Sequence, residues 1–74
     1  IRFHLAQSGL AKLEVYNLLG QKVATLVDGR QQAGTYSVQW NGRSDNGQPV
    51  NSGLYLLRLQ ANGQVQIRHM TLLK

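Results

Sequence analysis

Few side chains in this sequence could act as acids, bases or nucleophiles. The carboxylates are Glu14, Asp28 and Asp45, and the imidazoles are His4 and His69. A glycosidase-type pair needs two carboxylates that face each other across a substrate, whereas Asp28 and Asp45 stand among residues typical of turns. We therefore expect turn-forming aspartates here, and an outward-facing Glu14 that pairs with a lysine or arginine across the strand ladder.

The histidines and serines do not complete a catalytic set. Both histidines fall on the polar phase of predicted strands, and two imidazoles alone leave a zinc site without its remaining ligands. No serine stands in a G-x-S-x-G elbow, and with no cysteine there is no thiolate metal site. We expect solvent-facing histidines, no cofactor, no metal and no enzyme activity; the serines lie in turns or on polar strand positions, at Ser8, Ser37, Ser44 and Ser52.

A polar loop from Asn41 to Asn51 raises the question of a calcium site, because its first half is rich in oxygen atoms. Calcium takes six or more oxygen ligands, usually with several carboxylates among them. Asp45 is the one carboxylate of this loop. Turn formation accounts better for its composition.

The aromatic residues could form a sugar-binding platform if they were exposed in one plane. Four of the five instead fall on the apolar phase of their strands, as core residues do; only Tyr16 is out of phase. We expect the other four to lie in the core, with Trp40 and Tyr55 as its anchors: Phe3, Tyr36, Trp40 and Tyr55.

Apolar and polar residues alternate with a period of two along most of the chain, and turn-forming residues recur about every ten positions. This pattern predicts strands at 1–6, 12–16, 21–27, 36–40, 53–60 and 64–73, with a short seventh at 48–50. The fold class is then all-β, an immunoglobulin-like antiparallel β-sandwich of about seven short strands. Seventy-four residues allow a single domain, 1–74.

Several turns and one strand carry more specific expectations. Asn62 and Gly63 form the strongest hairpin signal, and the two leucines of the turn at 17–20 are expected to fold over the sandwich edge. In the last strand, apolar residues change phase, which predicts a bulge or a switch between sheets near 68–69. The glycines with an architectural role are expected to be Gly20, Gly34, Gly42, Gly47 and Gly53.

The net charge is +5, from eight lysines and arginines against three carboxylates. Two explanations remain open: solubility, or attraction to an anionic partner such as an acidic glycan, a lipid headgroup or a nucleic acid. The basic residues are dispersed, whereas nucleic-acid sites usually cluster them on one face. No run of about 18 apolar residues predicts a transmembrane segment. No signal peptide opens the chain, so we expect a module of a longer polypeptide.

An ordered string of motifs covers most of the sequence. It consists of Ile1-Arg2-Phe3, Val15-Tyr16-Asn17-Leu18-Leu19-Gly20-Gln21-Lys22-Val23, Ala33-Gly34-Thr35-Tyr36, Trp40-Asn41-Gly42-Arg43, Gly47-Gln48-Pro49-Val50, Ser52-Gly53-Leu54-Tyr55 and Met70-Thr71-Leu72-Leu73-Lys74. In this order the motifs resemble the C-terminal sorting domains (type A) of cargo proteins exported by the type IX secretion system. The pattern is also similar to the immunoglobulin-like domain of the flagellar hook-capping protein.

The first resemblance implies a domain at the end of a secreted hydrolase, protease or adhesin of a Gram-negative bacterium. Such a domain folds in the periplasm and is read by an outer-membrane translocon. A sortase-like peptidase then removes it, and the cargo is attached to anionic lipopolysaccharide at the cell surface. The implied partners are therefore the translocon, the peptidase, an N-terminal cargo domain and lipopolysaccharide, with no nucleic acid. The implied cleavage junction lies before Ile1.

A sorting signal of this kind is expected to be a folded surface, and we place it on the last strand. Nearby basic side chains would steer the partner, and an open strand edge would recruit a partner strand. The hypothesised recognition residues are Arg68, Met70, Leu72, Leu73 and Lys74. The alternatives are a carbohydrate-binding module of a secreted glycosidase or protease, and a structural immunoglobulin-like spacer.

Overall fold

Six strands make up the fold in the computed structural model, which describes residues 1–73. They are β1 (Arg2–Leu5), β2 (Gly9–Tyr16), β3 (Lys22–Gln31), β4 (Gly34–Ser37), β5 (Gly53–Ala61) and β6 (Gln64–Leu72). Within the described range there is no helix. The all-β class that the alternating pattern predicts is confirmed.

The strands form two antiparallel sheets of unequal width. The small sheet consists of β1 and β4, and the large sheet has the order β3-β2-β5-β6. The sheets pack face to face, because Phe3 and Leu5 of β1 cluster with Ala11 and Leu13 of β2. This arrangement confirms the immunoglobulin-like β-sandwich, with six strands in residues 1–73 rather than about seven.

The core is centred on β2, which has a hydrogen-bonded neighbour on each side. Leu13 is 2% exposed and Val15 is fully buried. Alternate side chains of a strand point to the same face, so these two and Ala11 together face the small sheet. A second cluster extends the core toward the other end of the sandwich, and it contains Val15, Ala24, Tyr55 and Leu57.

Two aromatic pairs close the ends of this core. Phe3 stacks on Tyr36 with ring centroids 5.3 Å apart, and Trp40 meets Tyr55 edge-on at 5.1 Å and 77°. Phe3 and Tyr55 are buried, whereas Tyr36 and Trp40 are half-buried and pack against the two clusters. All four rings therefore contact the core, two of them at its margin.

Each of the two core-facing tyrosines also anchors a turn. The Tyr36 hydroxyl donates to the Gln32 carbonyl at 2.5 Å, and the Tyr55 hydroxyl donates to the Asn51 carbonyl at 2.6 Å. Both bonds reach back four residues, as in the tyrosine corner of immunoglobulin-like domains. Both tyrosines stand two positions after a glycine that begins a strand, so a repeated Gly-x-Tyr pattern in the sequence marks them.

The seventh strand expected at 48–50 is wrong. The Arg43–Pro49 pair is an isolated bridge, and the loop bonds to itself, with the Val50 amide donating to the Gly42 carbonyl and the Ser44 amide to the Gln48 carbonyl. Pro49 has no N–H to donate, so it cannot extend a ladder.

Strand β3 is longer than predicted and carries two irregularities. It continues to Gln31, where the sequence predicts a connection beginning at 28. The β2–β3 register shifts between Leu13 and Glu14 and again between Val15 and Tyr16. Such bulges place extra residues on one face, and Leu26 and Val27 both pack against the core as a result.

Strand β4 is shorter than the predicted segment 36–40 and begins earlier, at Gly34. Hydrogen bonding between the segments of β1 and β4 continues one residue past the end of β4, where the Val38 amide donates to the Ile1 carbonyl at 2.7 Å.

Strand β6 pairs with β5 in one continuous register, from Gly53–Leu72 to Ala61–Gln64. The bulge or switch between sheets predicted near 68–69 is therefore wrong. The hairpin turn itself is confirmed, since Asn62 and Gly63 both have positive φ, at 54° and 74°, as a type I′ turn requires. With an unbroken register, the two apolar pairs of β6 lie on opposite faces of the sheet.

Replacing Leu13 by alanine tests the central position of β2. We expect Leu13→Ala to lower the free energy of unfolding by about 2–5 kcal/mol, because it leaves a cavity between the sheets. Leu19→Ala makes the same chemical change at a side chain that is 85% exposed, and it should change stability by less than about 0.5 kcal/mol. Urea unfolding followed by Trp40 fluorescence measures both; equal effects would contradict this account of the core.

Candidate functional site

Glu14 organises the charges on the outer face of the large sheet. It is a buried carboxylate, 4% exposed, and it stands opposite Arg58 of β5 in the ladder. Its oxygens lie 3.3 Å from Arg58 Nη1 and 3.9 Å from the amino groups of Lys12 and Lys22. The prediction of an outward Glu14 paired across the ladder with a lysine or arginine is confirmed.

Neighbouring polar groups complete the environment of this carboxylate. The Tyr16 hydroxyl donates to Glu14 Oε1 at 3.2 Å, and Arg58 Nη1 also donates to Gln60 Oε1 at 3.1 Å. A buried charge is tolerated when it is paired and hydrogen-bonded. Since one carboxylate meets three cations, the centre of this face keeps a positive charge.

Beside this basic centre, the outer face becomes apolar toward β6. Val65 and Ile67 of β6 are 47% and 61% exposed, and Leu54 of β5 is 41% exposed. Ile67 stands directly opposite Arg58 in the ladder. In the described part of the chain β6 pairs only with β5, so its other edge presents backbone groups to solvent. We call Leu54, Val65 and Ile67, with this open edge, the β6 surface.

The hypothesised recognition residues do not form one surface. Arg68 is exposed, but it stands opposite Leu57 and thus on the inner face of the sheet. Met70 and Leu72 are half-buried on that same face and pack against the second core cluster. Leu73 is 85% exposed, and Lys74 lies outside the described residues.

Sequence reasoning missed Leu54, Val65 and Ile67. The signal was present, because β6 carries apolar residues on both phases, more than one buried face needs. The prediction of a bulge or a switch between sheets at 68–69 hid this signal, because either irregularity would let both apolar pairs of β6 face the core.

The two histidines lie in different sheets. His4 belongs to the small sheet, where its Nδ1 lies 3.1 Å from Thr35 Oγ1, and His69 belongs to β6. Over residues 1–73 no group of three or more His, Cys, Asp or Glu side chains is placed to hold a metal ion.

Asp45 fastens the long polar loop to the edge of the large sheet. Its Oδ1 accepts a hydrogen bond from the Thr25 amide at 2.9 Å, and its own amide donates to the Val23 carbonyl at 3.1 Å. The Trp40 indole donates to the Arg43 carbonyl at 2.9 Å within the same loop. These bonds give Asp45 a role in positioning the loop.

The turn at 17–20 is a further exposed apolar feature, and the expectation that its leucines fold over the sandwich is wrong. Leu18 and Leu19 are 61% and 85% exposed. Asn17 Oδ1 accepts from the amides of Leu19 and Gln21, both at 3.0 Å, and Gly20 closes the turn with φ of 83°. This tight local bonding holds the leucines at the tip, away from the core.

The remaining predicted structural residues lie in turns or core pairs. The aromatic rings contact each other in pairs, which differs from the common exposed plane of a sugar platform. All five glycines have positive φ, between 74° and 152°: Gly20, Gly34, Gly42, Gly47 and Gly53.

The two sheets, their strand order and the tyrosine corners define this chain as an immunoglobulin-like β-sandwich module. A comparison with protein-family models matches residues 3–64 to the FlgD Ig-like domain. The chain belongs to this family, which takes its name from the flagellar hook-capping protein. Searches of curated proteins and of solved structures found no match. The matched range ends at the first residue of β6.

In the part of the chain that the structure describes, no helix is long and apolar enough to cross a bilayer.

Glu14→Gln tests the charge cluster. The change removes the carboxylate charge from three cations while keeping the side-chain shape, and we expect it to lower the free energy of unfolding by about 1–3 kcal/mol. Asp28→Asn changes the net charge equally at an exposed carboxylate and should cost less than about 0.5 kcal/mol. Thermal or urea unfolding compares the two. Similar losses would mean that net charge alone, and not the buried cluster, governs the effect.

Proposed function

We propose that this domain is a non-catalytic C-terminal sorting signal of the type IX secretion system. In this proposal it directs a larger N-terminal cargo protein from the periplasm through the outer membrane and to attachment at the cell surface. The observation that carries the proposal is the β6 surface, an exposed apolar strip on an open edge strand beside a basic centre. The type IX secretion system is named in this proposal because the ordered motifs of the sequence resemble its C-terminal sorting domains.

An exposed apolar edge strand such as β6 tends to pair with other chains. Soluble proteins usually protect edge strands with charges, prolines or bulges, because an open apolar edge invites pairing with other chains. On the outer face of β6, Val65 and Ile67 are exposed instead, and the β5–β6 register has no bulge. A partner that adds a strand to this edge and covers Ile67 would use both features.

The basic centre would contribute to the encounter rather than to tight binding. Lys12, Lys22 and Arg58 surround a single carboxylate, and complementary charge chiefly raises association rates. In this proposal an acidic surface of the translocon would match this charge, and the sortase-like peptidase would act on the domain afterwards. The same positive charge would suit transient contact with anionic lipopolysaccharide at the surface of a Gram-negative cell.

The family assignment supports a second candidate, a structural immunoglobulin-like module without a sorting role. The FlgD-type match covers residues 3–64, and thus β1 to β5. In this candidate the domain is a rigid spacer, and the exposed face of β6 contacts a neighbouring domain of the same polypeptide.

Export of a fused passenger distinguishes the candidates. We expect a fluorescent passenger carrying this domain at its C-terminus to reach the medium or cell surface of a type IX host, and to remain in the periplasm of a host without the translocon. The double change Val65→Thr and Ile67→Thr keeps β-branched residues but removes the apolar strip. It should lower export at least tenfold while the urea midpoint of the isolated domain changes little.

The matched control is Leu10→Thr, since Leu10 is 70% exposed and lies on β2, away from β6. It should leave export unchanged. Deleting residues 73–74 keeps the half-buried Leu72. Export of the fusion with this deletion tests separately whether Leu73 and Lys74 take part in recognition. Full export of the Val65/Ile67 double variant would overturn the role of the β6 surface, and retention of the unmodified fusion in the periplasm would favour the spacer.

A further inference from the structure

The two sheets of the sandwich differ in width, which leaves part of the inner face of the large sheet uncovered. The small sheet has two strands and the large sheet four. β1 packs on β2 through Phe3 and Leu5, so the inner faces of β5 and β6 extend beyond it. Gln66 and Arg68 stand opposite the inward residues Leu59 and Leu57 but remain exposed.

A groove follows this uncovered strip along the whole of β1. It consists of two adjoining depressions, of about 290 and 180 Å³, which share Leu59 and Gln66 in their walls. The first is lined on the β1 side by residues 1–3 and the second by residues 4–6. Six extended residues span about 20 Å, so the groove matches a short strand in length.

The backbone of β1 presents hydrogen-bonding groups to this groove. The Ile1 nitrogen donates to the Val38 carbonyl at 2.8 Å, and the Val38 amide donates to the Ile1 carbonyl at 2.7 Å. In an antiparallel ladder such mutually bonded pairs alternate with unbonded ones. The bonded positions are therefore 1, 3 and 5, and the N–H and C=O groups of Arg2 and His4 point to the opposite edge, toward the groove.

The residues that line the groove indicate which kind of ligand it would bind. The floor is apolar and is lined by Leu57, Leu59 and Met70, and Arg2 and Arg68 also line the groove. Of the described residues that line the two depressions, none is acidic. The ion pairs found within residues 1–73 are all made by Glu14, on the other face of the large sheet. Arg2 and Arg68 thus complement an acidic ligand.

We propose that this groove binds an extended, acidic and apolar peptide segment of a partner protein, which adds a third strand to the small sheet beside β1. The main chain of the segment bonds to Arg2 and His4, its apolar side chains on alternate positions contact the half-buried Leu59 and Met70, and its carboxylates pair with Arg2 and Arg68. The added strand becomes the seventh of the sandwich. This site is separate from the β6 surface and does not depend on the sorting proposal.

A titration of the ¹⁵N-labelled domain tests the proposal. The probe is a synthetic eight-residue peptide that alternates valine with glutamate, and the control peptide alternates valine with lysine. We expect the acidic peptide to shift the amide resonances of Arg2, His4 and Leu59 and to slow hydrogen exchange at the Arg2 and His4 amides at least tenfold. The basic peptide should do neither.

Charge-reversal variants establish where the acidic peptide binds. Arg68→Glu should weaken its binding at least tenfold, whereas Arg30→Glu makes the same change at an exposed residue of β3, away from the groove, and should weaken it less than threefold. Equal weakening by both variants, binding of the basic peptide, or protection confined to β6 would each overturn the proposal. So would concentration-dependent dimerisation that shifts the same amides without peptide, because a second copy would then occupy the groove.

Discussion

The structure depends on the burial of β2 from both sides. Strands β3 and β5 satisfy its backbone on both edges, and Leu13 and Val15 fill the space between the sheets. On the opposite face, Glu14 is buried as well, under the side chains of three cations. In a chain of 74 residues without disulfides, a strand covered on all sides fixes the register of its neighbours, because a slip by one residue would exchange the apolar and charged faces.

The consequences of this arrangement appear at the edges. The bulges between β2 and β3 turn Leu26 and Val27 inward together, where they pack against the same core cluster as Tyr36 of β4. On the other side, the inner face of the large sheet is uncovered beside β1, where Gln66 and Arg68 of β6 are exposed. This difference in width opens the groove on the inner face, whereas Val65 and Ile67 are exposed because they lie on the outer face of the edge strand β6. Both candidate binding surfaces therefore involve β6, one on each of its faces.

The family and the proposed sorting role concern different parts of the chain. The FlgD Ig-like match covers residues 3–64, a range that holds the core clusters apart from Ile1, Met70 and Leu72, together with both tyrosine corners. Strand β6 adds little to the buried core, since its side chains from Gln64 to His69 are all exposed. Exposed side chains that do not fill the core can change with little effect on stability, so this part of β6 can vary to suit a partner while the scaffold stays the same.

The sequence by itself determined the features that depend on local chemistry: the alternating strands, the type I′ turn at Asn62-Gly63, the core positions and the outward Glu14. Period-two alternation and turn preferences act over a few residues, so they can be read directly. Tertiary structure alone decided the extent of β3, the continuous pairing of β6 with β5, and the face on which Val65 and Ile67 lie. These depend on which strand lies beside or above each residue, and neighbours distant in the chain set that burial, which no local pattern encodes.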